Sequence, residues 1–218
     1  GGADKGRLLY LPPGAKIRTD TAFWQFPVGT VLSKSFSYPD VQGRDGDVII
    51  ETRLEWLTPQ GWRYAEYHWD AAGTEARKYP DRWGDVPLEL LHNAPGADPF
   101  VHTLPSELGC DGCHGAPGNK AVLGIDPYNL PAELVAADAF EPPVEPIELP
   151  ARTPEEAAAM GYLVANCGHC HHGRKGAGEN ASYSLLPHDL VANPVNQDTD
   201  GSASGEGVRV ISGDPEGS

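Results

Sequence analysis

The chain is long enough for one large domain or two small ones, and it is strongly acidic. It has 218 residues, with 31 acidic against 16 basic side chains and a formal net charge of −15 at pH 7. Phosphates and anionic headgroups are repelled by such a charge, which argues against nucleic acid as a partner. No apolar run reaches the roughly 18 residues of a membrane-spanning helix, so no membrane span is predicted.

The first hundred residues have the pattern of β-strands. β-branched and aromatic residues recur with rough alternation at 29–38, 47–57 and 62–70, and Thr-Pro-Gln-Gly joins the last two segments. Such a tetrapeptide is typical of a turn. We therefore predict an antiparallel hairpin within a small β-rich domain that covers residues 1–100.

The next part is predicted to be loop-rich with short helices, and it contains two cysteine clusters. The first, Cys110-Asp-Gly-Cys113-His114, lies in a segment that spans residues 101–140. Four prolines in 141–150 predict a stiff linker over 141–152. A helix then begins with Thr153 as N-cap, Pro154 in its first turn and Glu156 closing a capping box.

That helix leads into the second cluster, Cys167-Gly-His-Cys170-His171, within a final segment of residues 153–218 that ends in a polar tail. Both clusters read C-x-x-C-H, the attachment signature of c-type haem. Two thiols at this spacing form thioethers with one porphyrin, and the following imidazole binds its iron. We therefore predict two covalently bound haem c groups, anchored by four cysteines and two proximal histidines: Cys110, Cys113, Cys167, Cys170, His114 and His171.

Two other chemistries use paired cysteines. A zinc site is disfavoured because 53 residues separate Cys113 from Cys167, against about 15–20 in zinc ribbons. A thioredoxin-like redox pair needs only one C-x-x-C and no histidine after it.

The distal face of each iron needs a ligand or stays open for chemistry. The single methionine, Met160, lies on the helix just before Cys167 and is predicted to fill the core. Bis-histidine ligation is therefore predicted. His172 is placed to reach a second, neighbouring haem, and the other candidate distal ligands are His68, His102 and His188.

A calcium loop is a further possibility in the tail. Asn196, Asp198 and Asp200 resemble the start of such a loop, but the expected acid falls one place early at Glu206. A solvated acidic loop is the alternative.

Several stretches are similar to a group of secreted bacterial di-haem cytochromes, often fused to propeller or dehydrogenase-like modules. They include "IETRLEWLTPQGWRYAEYHWDAAGTEA", "HTLPSELGCDGCHGAPGNKAVLGIDPYNL", "GYLVANCGHCH" and "VRVISGDPEGS", and the resemblance spans most of the chain from about residue 23. In that group a Met-Pro element follows "GDP", whereas this chain ends at Ser218. The resemblance therefore implies that a histidine or a neighbouring molecule supplies the second iron's sixth ligand.

The combined expectation is an α+β protein with a small antiparallel β-rich N-terminal part and a helical, cytochrome c-like part holding two haems. It would be a periplasmic or extracellular electron carrier that passes single electrons to redox partner proteins. One alternative is a subunit of a homopolymeric cytochrome filament, formed when head-to-tail contacts do not close. The enzymatic alternative is a di-haem peroxidase with one five-coordinate iron. It is disfavoured because the chain has enough other histidines to supply a sixth ligand to both irons.

Overall fold

The chain divides into two compact units in a computed structural model. The first unit is Gly1–Thr21 with Gln25–Gly115, and the second is Ala22–Trp24 with Ala116–Ser218. The structure describes residues 3–21, 24–39, 41, 46–79, 84–91, 99–106, 109–110, 114, 122–168, 171 and 185–187.

Most regular structure in these ranges is β-strand, and the paired strands of the first unit are antiparallel, as predicted. In chain order the strands are β1 (Asp4–Tyr10), β2 (Ile17–Arg18), β3 (Val31–Tyr38), β4 (Val48–Thr58), β5 (Gly61–Trp69), β6 (Ala76–Lys78), β7 (Val86–Leu90), β8 (Phe100–Leu104) and β9 (Phe140–Glu141). The main sheet has the order β1-β3-β4-β5-β6, and β7 and β8 form a separate hairpin. The predicted hairpin around Thr-Pro-Gln-Gly is confirmed as β4 and β5.

A β-bulge in β4 decides which side chains face the interior of the first unit. Phe36 of β3 lies opposite Glu51 and Ser37 lies opposite Ile49, so Ile50 is the extra residue. A bulge sets two successive residues against one partner. Ile50 and Glu51 are accordingly both fully buried. Ile50 joins an apolar cluster with Val41, Val48 and Leu90.

Beyond the bulge, regular alternation puts charged side chains on the inner face of the sheet. Arg53 and Glu55 follow Glu51 at two-residue intervals, so all three share one face. On the neighbouring strand β5, His68 lies opposite Glu51, Glu66 lies opposite Arg53, and Tyr64 lies opposite Glu55. Glu55 and Tyr64 on this face lie against His114 of the first cysteine cluster.

The second unit contains two helices within the described residues, α1 (Ala132–Ala136) and α2 (Pro154–Asn166). The helical part that the sequence predicts is thus limited here to one helix of 5 residues and one of 13. Prolines at 142, 143, 146 and 150 exclude helix from the predicted linker between them. None of the helices in the described ranges has the length and apolar character that crossing a membrane requires.

The start of α2 agrees with the sequence prediction. The backbone N–H of Glu156 donates to Oγ1 of Thr153 at 3.2 Å, and Pro154 occupies the first turn. The Glu156 carboxylate accepts from the backbone N–H of Arg152 at 2.6 Å, one residue earlier than in the usual capping box. The side chains of Thr153 and Glu156 therefore each accept a hydrogen bond from a backbone N–H at the start of the helix.

Replacing Thr153 by alanine is expected to destabilise the second unit by about 1 kcal/mol, because the N–H of Glu156 loses its acceptor. Urea unfolding followed by circular dichroism measures the change. Thr153→Ser keeps the hydroxyl and should stay within a few tenths of a kcal/mol of the parent protein. Equal stability of the alanine and serine variants would contradict the cap.

Candidate functional site

A short chain of hydrogen bonds holds the turn that enters the first C-x-x-C-H motif. The backbone N–H of Ser106 donates to Oδ1 of Asp85 at 2.8 Å. The Ser106 hydroxyl then accepts from the N–H of Gly109 at 3.1 Å, and the Ser106 carbonyl accepts from the N–H of Cys110 at 3.0 Å. Asp85 and Ser106 therefore position Cys110.

Gly109 is required by the same arrangement. A Cβ at this position would lie 2.8 Å from Oδ1 of Asp85, so a side chain would displace the carboxylate that holds Ser106. The sequence analysis did not identify Asp85, Ser106 or Gly109. The serine three residues before Gly109 is a capping signal that could have indicated Ser106.

His114, the predicted proximal histidine of the first motif, lies against the inner face of the sheet. Nδ1 of His114 is 3.4 Å from Oε1 of Glu55, and the two side chains are 26% and 14% exposed. The ring of His114 packs on Tyr64, with centroids 5.5 Å apart and planes tilted by 47°. Cys110 and His114 both have helical backbone and are four residues apart, which places them on one side of a turn.

The surroundings of Cys110 bear on the alternative chemistries. Burial raises the pKa of its thiol to about 11, the carboxylates of Glu66, Glu51 and Asp85 act in the same direction, and Arg53 opposes them. The thiol is therefore protonated at neutral pH. This disfavours a redox-active nucleophile at Cys110, because such a nucleophile requires the thiolate.

His102 is held by the protein through both ring nitrogens. It is 6% exposed, its Nε2 lies 2.6 Å from Oε2 of Glu51, and its Nδ1 lies 3.0 Å from the hydroxyl of Tyr38. Because a carboxylate only accepts, the N–H at Nε2 donates to Glu51. In this arrangement the protein already engages both ring nitrogens of His102, which the sequence analysis includes among the candidate distal ligands.

Glu51 and Glu66 are two buried carboxylates on the inner face, and their surroundings differ. Burial alone would raise the pKa of Glu51, but hydrogen bonds from His102 and Arg53 hold it below the usual value. The neighbouring Glu66 is 6% exposed. Neither of its carboxylate oxygens has a hydrogen-bond partner among the described residues. Burial, reinforced by the charge of Glu51, raises the pKa of Glu66 to about 8.

His68 lies on β5 directly opposite Glu51, with Arg77 as its partner on β6. It borders a pocket of about 420 Å³ on the β5–β6 hairpin, together with Trp69, Glu75 and Arg77. His68 therefore shares the inner face with Glu51.

The second motif is built from the end of α2 within the second unit. Cys167 caps the helix, and its N–H donates to the carbonyl of Leu163 at 2.9 Å. The N–H of His171 donates to the carbonyl of Cys167 at 2.9 Å, and the N–H of Leu185 donates to the carbonyl of His171 at 2.7 Å. Cys167 and His171 are thus one helical turn apart.

Apolar residues surround Cys167. Val164 and Leu185 are buried, and the half-buried residues packed against them are Tyr128, Leu149, Met160, Leu163 and Cys167. Met160 contributes to this apolar cluster, as predicted for a core residue. Gly168 is required beside Cys167, because a Cβ there would lie 2.8 Å from the carbonyl oxygen of Val164.

Several predicted site residues lie outside the described residues, namely Cys113, Cys170, His172, His188, Asn196, Asp198 and Asp200. Across the residues that the structure does describe, no group of three or more His, Cys, Asp or Glu side chains is arranged to hold a metal ion. No protein-family model matches the chain, and no curated protein or solved structure is significantly similar to it.

Proposed function

We propose that the protein is an extracytoplasmic di-haem c-type cytochrome that passes single electrons between its haems and a redox partner protein. The observation that carries this proposal is the use of all four cysteines in two C-x-x-C-H motifs. Haem attachment requires a histidine directly after each pair, whereas a purely structural role of the cysteines does not.

The residues of the first unit fit a haem at the first motif. Cys110 and His114 share one side of a turn, as attachment and ligation of the same haem require. The Nδ1 side of His114 faces a carboxylate, the usual environment of a metal-binding imidazole. The high pKa of the Cys110 thiol argues against a redox-active nucleophile at this position.

The residues of the second unit fit a haem in a similar way. The helix α2 delivers Cys167, and the apolar side chains around that cysteine provide a surface on which a porphyrin could rest. His171 is fixed by backbone bonds on both sides. We propose that α2 and this cluster form the cytochrome c-like part of the chain.

When bound, the two haems would supply one-electron iron couples. The chain's own residues would anchor the porphyrins, bind iron through His114 and His171, and adjust the potentials by burial and by nearby charge. For the distal ligands we retain His68, His172 and His188, because His102 is already bonded through both nitrogens. Haem attachment of this type implies a periplasmic or extracellular location.

The mass of the denatured, acid-extracted protein tests the proposal. We expect the polypeptide mass plus two haem groups. The double variants Cys110→Ser/Cys113→Ser and Cys167→Ser/Cys170→Ser should each retain one haem, whereas the exposed substitution Tyr162→Phe should retain both. Recovery of the bare polypeptide mass from protein produced with haem-attachment machinery would refute the cytochrome.

A further inference from the structure

The carboxylate of Glu55 has an unusual position relative to the first motif. It projects from the inner face of β4 and is 14% exposed, and its Oε1 lies 3.4 Å from Nδ1 of His114. Within the described residues, this buried oxygen has no hydrogen-bond partner. Oε1 of Glu55 therefore lies within ion-pair distance of His114.

Tyr64 restricts the orientation of the His114 ring. It is the direct cross-strand partner of Glu55, so both side chains leave the same face of the sheet. Its ring packs on the imidazole with centroids 5.5 Å apart. This packing restricts the plane of the imidazole ring beside Glu55.

We propose that Glu55 is a positioning residue that sets the reduction potential of the first haem through His114. The inference rests on the proposed function, since it assumes that His114 binds iron. With Nδ1 directed at Glu55, Nε2 would be the nitrogen that binds iron. A carboxylate charge close to the N–H of a ligating imidazole makes it a more basic ligand. A more basic ligand stabilises oxidised iron, so Glu55 lowers the potential of this haem.

The contrast with Glu51 supports this assignment. Glu51 lies on the same strand and face, but its carboxylate is occupied by hydrogen bonds from His102 and Arg53. Glu55 is the carboxylate that the alternation of β4 brings to the ring of His114. Glu51 is thus used in a structural hydrogen-bond network, whereas Glu55 lies beside His114 of the first motif.

Spectroelectrochemical titration of the full chain with both haems attached tests the proposal. In Glu55→Gln, one of the two midpoint potentials should rise so that its ratio of reduced to oxidised haem increases at least tenfold, about 59 mV for one electron. The other potential should not move. Cys110→Ser/Cys113→Ser, which lacks the first haem, should lose the potential that shifts.

Glu75→Gln is the matched control, because it removes the same charge from a side chain of the same unit that is 64% exposed. It should leave both potentials unchanged. Glu55→Asp retains the negative charge but has a shorter side chain, so its carboxylate should lie farther from His114 and the same potential should rise by less. If Glu55→Gln does not fold, Glu55→Asp provides the test.

The outcomes separate this inference from the proposed function. Two haems attached, with both potentials unchanged in Glu55→Gln and Glu55→Asp, would overturn the role of Glu55 and leave the cytochrome intact. An equal shift in Glu75→Gln would also overturn it, since the effect would then be one of net charge alone. Absence of any haem from the parent protein would refute the proposed function itself.

Discussion

Replacing Glu51 by alanine is expected to lower the free energy of unfolding of the first unit by about 3–5 kcal/mol. The carboxylate is fully buried and accepts hydrogen bonds from Nε2 of His102 at 2.6 Å and from Arg53. Alanine would leave His102 buried without its acceptor and would open a cavity beside Ile50. Urea unfolding monitored by circular dichroism at pH 7 measures the loss.

Two other variants provide reference values for the loss of unfolding free energy in Glu51→Ala. Glu75→Ala removes a carboxylate from an exposed ion pair with Arg77, with 3.5 Å between the charged atoms, and should cost less than about 1 kcal/mol. Tyr38→Phe removes only the hydroxyl that bonds Nδ1 of His102 and should cost about 1 kcal/mol. Glu51→Ala as stable as Glu75→Ala would show that the network does not support the fold.

The strands and the main helix could be predicted because their signals are local. Alternation and a turn tetrapeptide indicated the hairpin of β4 and β5, and the capping residues from Thr153 onward indicated α2. The strand β1 and the hairpin of β7 and β8 were missed. β1 is mostly exposed, so it has little of the apolar alternation that marks a strand.

The inner face of the sheet could not be predicted, for a physical reason. Glu51, Arg53 and Glu55 alternate with less polar residues, a pattern that indicates a solvated face. The bulge at Ile50 brings apolar and charged residues to the same side. A segment more than 40 residues later in the chain then covers the charged residues, with His102 on Glu51 and His114 near Glu55. Pairings so distant in sequence leave no local signal.

The cysteine motifs are the opposite case. Their meaning depends on spacing within five residues, so the sequence alone indicates haem attachment. Glu55, which we propose to act on the first haem, is distant in sequence from the motif, and finding it required the fold. His102 illustrates the difference: by residue type it is a candidate iron ligand, yet Tyr38 and Glu51 engage both of its nitrogens.

Glu66→Gln is expected to remove a pH dependence of stability that the parent protein shows between about pH 4.5 and pH 8. Burial raises the pKa of Glu66 from 4.5 to about 8 in the folded chain, and the charge of Glu51 adds to this effect. The folded state therefore keeps a proton that the unfolded state releases. Stabilisation by this group is fully present below pH 4.5 and is lost as the pH rises to about 8.

Glu51 has the opposite dependence, because its pKa is held below the usual value. Its stabilising contribution is present above the unfolded pKa and is lost as the pH falls through the folded one. The two neighbouring carboxylates thus favour the folded state most under mildly acidic conditions. Above this range the ionised Glu66 would lie buried beside Glu51 without a hydrogen-bond partner among the described residues.

Urea unfolding at pH 5, 6, 7 and 8 distinguishes the variants. The parent protein should lose on the order of a few kcal/mol across this range, whereas Glu66→Gln, which is neutral throughout, should show a flatter profile and higher stability at pH 8. Glu75→Gln, altered at an exposed carboxylate, should keep the parent slope. A parent profile without slope would mean that Glu66 is ionised in the fold at neutral pH, and a donor to its carboxylate would then have to be found. A slope that persists in Glu66→Gln would assign the effect to another group on the same face.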